Sequence, residues 1–402
     1  MNQIKLNTKK RELRIGTEKL ALPDAPKIRK IRNEGYENLP LYDEHAQGWQ
    51  SGRKLLALQM YECCITGTLV PDSLRLKAGG KVMSPGMDFR VNDFWGTIGR
   101  IEGGRILPKE QVRVSYSCFG SRIDSVIRTG KKLAIVKGRE SIVYPAIPRI
   151  PEDAVRIANL YWHGDCSVLT EDLIYPITET EFPADLIPVS YRPEHTIRKL
   201  KEGKQVRILA WGDSVTECAY FYPECSWQNQ FVSRLRKKYP KAKIELLTEG
   251  WGGRTTTSFL QVPPGEPHNF KENVIHPQPD LIISEFVNDA GQSEKAWKRN
   301  YPEILQAFRK IRAEWIILTP HYTRPDWMGF SNSKNCDDDP RPFVKFLRDF
   351  AKKHKIPLAD ASRYWGRLYR QGIPYENLYS NGINHPLKFG LSLFADALMK
   401  LF

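Results

Sequence analysis

The stretch Val206-Arg207-Ile208-Leu209-Ala210-Trp211-Gly212-Asp213-Ser214-Val215-Thr216 turns from apolar to polar within a few residues. A mostly apolar run followed by Gly, Asp and Ser reads as a buried strand ending in a tight turn, which lifts a hydroxyl onto the edge of a sheet. A serine hydroxyl is a poor nucleophile at pH 7 unless a base takes its proton and donors await the oxyanion. Residues able to do both follow downstream: Gly253 in Gly252-Gly253-Arg254-Thr255-Thr256, Asn288 in Glu285-Phe286-Val287-Asn288-Asp289, and His385 in Asn384-His385-Pro386.

Outward from this stretch, residues 205–402 alternate apolar strands with helical periods. The strands are expected at 206–210, 244–248, 281–285, 315–319 and 356–359, and the helices at 227–238, 294–311, 341–354 and 386–402. Such alternation implies a parallel sheet covered on both faces, and five strands fit the flavodoxin-like order 2-1-3-4-5 most simply. The switch point of that order lies between the first and third strands, where ligands bind beyond the carboxyl ends. Ser214 follows the first strand, Gly253 the second and Asn288 the third, so three separated motifs are expected to meet in one crevice.

Upstream the pattern differs. From 46 to 175, short apolar or alternating runs such as Val112-Arg113-Val114-Ser115-Tyr116 are separated by turns such as Ala78-Gly79-Gly80-Lys81 and Arg128-Thr129-Gly130-Lys131. This predicts an all-β, sandwich-like domain. Residues 1–45 show no sustained period and carry the densest basic residues, which reads as an extended arm. Residues 176–204, with Pro176, Pro183, Pro188 and Pro193, read as a linker. His163-Gly164-Asp165-Cys166 has metal-ligating residue types, yet in a turn it reads as a polar loop, so no metal is expected.

The 402 residues suit two domains. No stretch approaches the roughly 20 apolar residues of a membrane span. Met1-Asn2-Gln3-Ile4-Lys5 has no apolar core or small-residue cleavage site behind it, so no secretory signal is expected and the chain reads as cytoplasmic. Seven scattered cysteines without a Cys-x-x-Cys pair argue against a zinc knuckle or a disulfide framework. The net charge of +15 is spread along the chain rather than gathered with aromatics in one element, so no nucleic-acid partner is expected.

Taken together, Gly212-Asp213-Ser214, Gly253 before Arg254-Thr255-Thr256, Asn288-Asp289 and His385-Pro386 resemble the four sequence blocks of the SGNH hydrolases, the GDSL esterase and lipase superfamily. The resemblance covers about 205–402. It implies that Ser214 attacks an ester carbonyl, that His385 acts as general base, and that the backbone N–H groups of Ser214 and Gly253 and the Asn288 amide hold the oxyanion. No metal or organic cofactor is implied. A sandwich ahead of a hydrolase also resembles the layout of some carbohydrate esterases, which points to removal of a short acyl group, acetyl first, from a carbohydrate or small alcohol. No long apolar lid is visible to house a fatty chain.

One position departs from the family pattern. The aspartate usual three residues before the histidine is replaced by Gly382, and Asn381 lies four before. Either the site is a Ser-His dyad oriented by Asn381 or a backbone carbonyl, or a carboxylate arrives from elsewhere, with Asp360 and Asp337-Asp338-Asp339 as candidates. A catalytically impaired protein that binds carbohydrate or another surface is the alternative. Among neighbouring residues, Asp213 reads as a turn brace close to the substrate, Trp251 as a possible sugar platform, and His321, after Leu318-Thr319-Pro320, as a rim or substrate contact. The run Gly250-Trp251-Gly252-Gly253-Arg254-Thr255 lacks the ending of a phosphate loop, which argues against a nucleotide site.

Overall fold

In the computed structural model, which describes residues 4–165 and 168–402, the chain divides into two units. One comprises 1–180 together with 369–383, the other 181–368 together with 384–402. The first three residues and Cys166 of the His163 to Cys166 cluster lie outside the described residues.

The first unit is built from antiparallel strands. Arg29–Tyr36, Val112–Cys118, Arg75–Ala78 and Lys81–Val82 form one sheet in that order. A small sheet of Phe89–Asn92, Thr97–Arg100 and Arg53–Lys54 shares its core through Leu55, Phe89, Ile98, Val112 and Val114. Lys132–Val136, Arg122–Thr129, Val155–Trp162 and Ile174–Pro176 form a further sheet.

Of residues 1–45, expected as an extended arm, 4–45 are described and are instead structured. Ile4–Asn7, Glu12–Ile15 and Glu18–Ala21 make an antiparallel meander. The alternation in Glu12-Leu13-Arg14-Ile15 puts Leu13 and Ile15 on one face, where both are buried with Val126, Leu160 and Trp162. Arg29–Tyr36 then enters the first of these sheets, so Lys5, Arg14, Arg29, Lys30 and Arg32 ride on strands rather than on a loose tail.

The segment 369–383, taken by its position to belong with the α/β region, is built into the β unit. The backbone N–H groups of Thr178 and Glu179 donate to the Arg370 carbonyl, and Asn159 Nδ2 donates to the Gly372 carbonyl at 2.7 Å. Gly382 approaches Ile65 and Tyr144.

The second unit carries five parallel strands: β1 Gln205–Gly212, β2 Lys243–Gly250, β3 Leu281–Glu285, β4 Glu314–Leu318 and β5 Leu358–Ala359. Their order is β2-β1-β3-β4-β5, the flavodoxin-like order expected. The helices are α1 Glu194–Lys201, α2 Ser214–Glu217, α3 Trp227–Lys238, α4 Thr256–Gln261, α5 Glu294–Lys310, α6 Pro342–His354, α7 Ser362–Arg367 and α8 Lys388–Met399. One face of the sheet, through Leu209, Trp211, Ile282 and Phe286, packs on Trp297, Ile304 and Phe308 of α5 and Phe343 and Leu347 of α6. Trp211 meets Phe259, Phe286 and Phe308 edge to face, a geometry that suits aromatic quadrupoles. Helices α3 and α8 pack against each other. Because every strand runs the same way, all carboxyl ends emerge on one edge, and the motifs that follow them are collected there.

Candidate active site

The turn after β1 is dictated by close packing. A Cβ on Gly212 would lie 2.2 Å from both the Glu285 carbonyl oxygen and Thr216 Oγ1, so only glycine lets β1 end against β3 at this point. Asp213 then caps the short helix α2, its Oδ1 accepting from the Val215 N–H at 3.1 Å. Its Oδ2 accepts from the Asn288 N–H at 2.9 Å, tying the turn after β1 to the turn after β3.

Ser214 opens α2, and its Oγ lies 3.0 Å from His385 Nε2. With the imidazole proton on Nδ1, Nε2 accepts the serine hydroxyl, the arrangement a general base needs. A Cβ built on Gly252 would stand 3.8 Å from Ser214 Cβ, which puts the Gly252-Gly253 turn beside Ser214. Gly253 has φ +71°, a left-handed conformation that glycine adopts without strain. Asn288 Nδ2 donates to the Arg254 carbonyl at 3.3 Å, so its amide sits at the same turn. Ser214, Gly253, Asn288 and His385 thus gather at the carboxyl edge of the sheet.

Three carboxyl groups are buried behind this edge. Burial pushes the Asp213 carboxyl up to about 7 against the pull of the Asn288 and Val215 amides. Burial likewise raises Asp289 to about 6, although it accepts from the Thr256 N–H and hydroxyl, Gln292 Nε2 and Tyr301. Glu285, fully buried and paired in register with Gly212, is held well above the ordinary carboxylate range by burial and then by the neighbouring Asp213 charge.

Residues 210–390 match the GDSL-like lipase/acylhydrolase family. This stretch is a GDSL-like lipase/acylhydrolase domain. No curated protein matches the chain. Among solved structures, a two-domain esterase active on acetylated mannans is similar at 17% identity, with 52% of each chain covered and a TM-score of 0.43. An acetyl xylan esterase from Geobacillus stearothermophilus is similar at 17% identity, over 49% of this chain and 94% of that one, with a TM-score of 0.39. The acetyl xylan esterase AlAXEase is similar at 18%, over 48% and 98%, with a TM-score of 0.40. The chain spans about half the length of the two-domain esterase it matches.

Within the GDSL-like domain, Asp213 braces the turn as read from sequence, and His321 and Trp251 have partners inside the protein. Asp213 is fully buried and braces two turns rather than facing a ligand. His321 is also fully buried, between Trp365 of α7 and Phe394 of α8. Its Nε2 lies 2.6 Å from the Asn384 carbonyl, and since a carbonyl only accepts, Nε2 carries the proton. Burial, then the Arg341 charge, holds this imidazole well below its ordinary value, so His321 is a neutral support for the peptide preceding His385. Trp251 is half-buried, with the His268 ring stacked on it at 4.6 Å and the Arg254 guanidinium 4.9 Å from its centroid.

Asn381, expected behind the imidazole, belongs to the β unit. It is fully buried there, its Nδ2 donating to Glu62 Oε1 at 2.7 Å and its Oδ1 accepting from the Ile383 N–H at 3.0 Å. Those bonds engage both ends of its amide inside the β unit. Of the candidate carboxylates, Asp360 accepts from Arg348 and Arg363 at 2.8 Å each, and Asp339 takes both arms of Arg341. Asp337 faces Arg367 at 3.8 Å.

One neighbour of His385 escaped the motif reading. Tyr220, six residues after Ser214, stacks its ring on His385 with centroids 4.3 Å apart and planes 5° from parallel. Nothing in its local sequence marks it, because the contact forms only when the end of the chain folds back onto the first turn.

Proposed function

We propose that the chain is a serine ester hydrolase that removes a short acyl group, acetyl first, from a carbohydrate or small alcohol. The observation that carries this reading is the 3.0 Å contact between Ser214 Oγ and His385 Nε2 within the GDSL-like domain. Ser214 adds to the ester carbonyl as His385 takes its proton. The oxyanion is held by the N–H groups of Ser214 and Gly253 and by the Asn288 amide, donors preset where negative charge develops. Collapse expels the alcohol, which takes the proton from His385. Water, deprotonated by the same imidazole, then releases the acid from the acyl-enzyme. The lack of a long apolar lid in the sequence supports a short acyl group.

The test is hydrolysis of a chromogenic acetate ester by the wild type, Ser214→Ala and His385→Ala, followed by a series of longer acyl esters and by acetylated xylan and mannan. The reading expects wild-type turnover that either substitution abolishes and that falls with acyl length. Equal background in all three proteins refutes it and favours a carbohydrate-binding protein, for which Gly382 at the usual aspartate position is the supporting feature.

A further inference from the structure

We propose that Tyr220 is a positioning residue for His385, its ring holding the imidazole flat and stabilising the imidazolium formed during turnover. The inference rests on the reading of Ser214 and His385 as the hydrolytic pair. Three observations carry it. The rings are parallel within 5° at 4.3 Å, so the tyrosine presents its negative π face to the imidazole rather than its edge. The Tyr220 hydroxyl donates to the Pro386 carbonyl at 3.2 Å, so one side chain grips two successive residues of the base segment. Tyr220 also follows directly from the nucleophile turn: Cys218 ends α2 in the left-handed conformation, with its N–H on the Ser214 carbonyl at 2.9 Å. The chain that presents the serine therefore also clamps the base.

An aromatic face attracts a cation far more than a neutral ring. The stacking consequently strengthens as His385 gains the serine proton, and an interaction stronger in the transition state than in the ground state raises kcat rather than lowering KM. This is a service that a carboxylate behind the histidine performs in other hydrolases, here supplied to the face of the ring. The titratable and charged groups around the pair are Cys218, Asp213 and Glu285 on the Tyr220 side, with His321 near His385 and Arg341 beside His321.

The experiment compares wild type, Tyr220→Phe and Tyr220→Leu in the full chain. It measures kcat, KM and the pH profile of kcat/KM on a chromogenic acetate, and the NMR titration of the His385 imidazole, assigned by its loss in His385→Ala. A cation–π contribution in a desolvated site predicts that Tyr220→Leu lowers kcat by about 5- to 30-fold with KM little changed, and lowers the His385 titration midpoint by roughly 0.5 to 1.5 pH units. The acid limb of the profile moves the same way. Tyr220→Phe keeps the π face and loses only the hydroxyl bond to Pro386, so it keeps the wild-type midpoint and loses less kcat than Tyr220→Leu. Should Tyr220→Leu fail to fold, Tyr220→Met takes its place. A kcat loss without a change of midpoint, or equal losses in the Phe and Leu variants, overturns the proposal. If the wild type shows no Ser214-dependent hydrolysis, the hydrolase reading fails, while the NMR titration still decides whether Tyr220 supports the imidazolium.

Discussion

Replacing Asp213 by asparagine keeps the shape of the side chain and removes its charge. In the wild type the two carboxylate oxygens accept from Val215 N–H at 3.1 Å and Asn288 N–H at 2.9 Å. An asparagine can accept only one of these, and its NH2 then faces the other donor. Leaving a buried N–H unsatisfied costs about 1 to 3 kcal/mol, so the tie between the Ser214 turn and the Asn288 turn loosens. Displacement of the Asn288 amide by even 1 Å is expected to lower kcat by roughly 10- to 100-fold, with a smaller effect on KM. Stability behaves differently. Burial raises the carboxyl from 3.8 to about 7, so the folded state holds its proton over a range in which the unfolded chain has lost it. That contribution is fully present below about pH 4 and is lost as pH rises through 7. Integrated over this window, it amounts to on the order of 4 kcal/mol. The asparagine variant never ionises, so its stability relative to wild type should improve by a few kcal/mol between pH 4 and pH 8. Urea unfolding at several pH values and steady-state kinetics at pH 8 measure the two effects. A stability gap that does not change with pH would mean that Asp213 is ionised in both states throughout, and an unchanged kcat would mean that Asn288 keeps its place without Asp213. Either result refutes the argument.

Asn288→Ala, which removes a single preset donor, should lower kcat by roughly 10²- to 10³-fold while thermal unfolding stays near wild type, the split being read from kcat and KM on an acetate ester. Asn381→Asp sets a carboxylate against Glu62 in place of a donating amide, so it should destabilise the protein by about 1 to 3 kcal/mol in denaturant unfolding and should not raise the rate. An increase in kcat would instead return Asn381 to the imidazole. His321→Phe removes the donor to the Asn384 carbonyl, costs a similar amount at pH 8, and lowers kcat through the loosened His385. Because burial keeps wild-type His321 neutral, its pKa is depressed in the fold, and the wild type loses stability as pH falls below the ordinary value near 6.5. The His321→Phe variant should show less of that acid-side loss, by thermal unfolding from pH 8 to pH 5.

The parallel sheet was legible because each strand is a continuous apolar run bounded by turns and helical periods, and strand order then followed from connection rules. That Ser214, Gly253, Asn288 and His385 meet at one edge was legible for a related reason, since each follows a readable element or precedes the last one. What stayed hidden has in common a dependence on partners distant in sequence. Leu13 and Ile15 sit on strands of four residues, too short for a period to stand out, and their burial depends on Val126, Leu160 and Trp162, more than a hundred positions later. The segment 369–383 has neither strand nor helix period, yet Asn159, Thr178 and Glu62 supply the hydrogen bonds that commit it to the β unit, and with it Asn381. His321 does end a strand on the ligand edge, as read, but Trp365 and Phe394 close over it once α7 and α8 pack. Tyr220 follows the same logic. A tyrosine beside a nucleophile turn has no signature until residue 385 arrives beneath its ring. Motif spacing can therefore bring candidate groups to one edge of a sheet, while the groups that hold them in register become readable only from the closed fold.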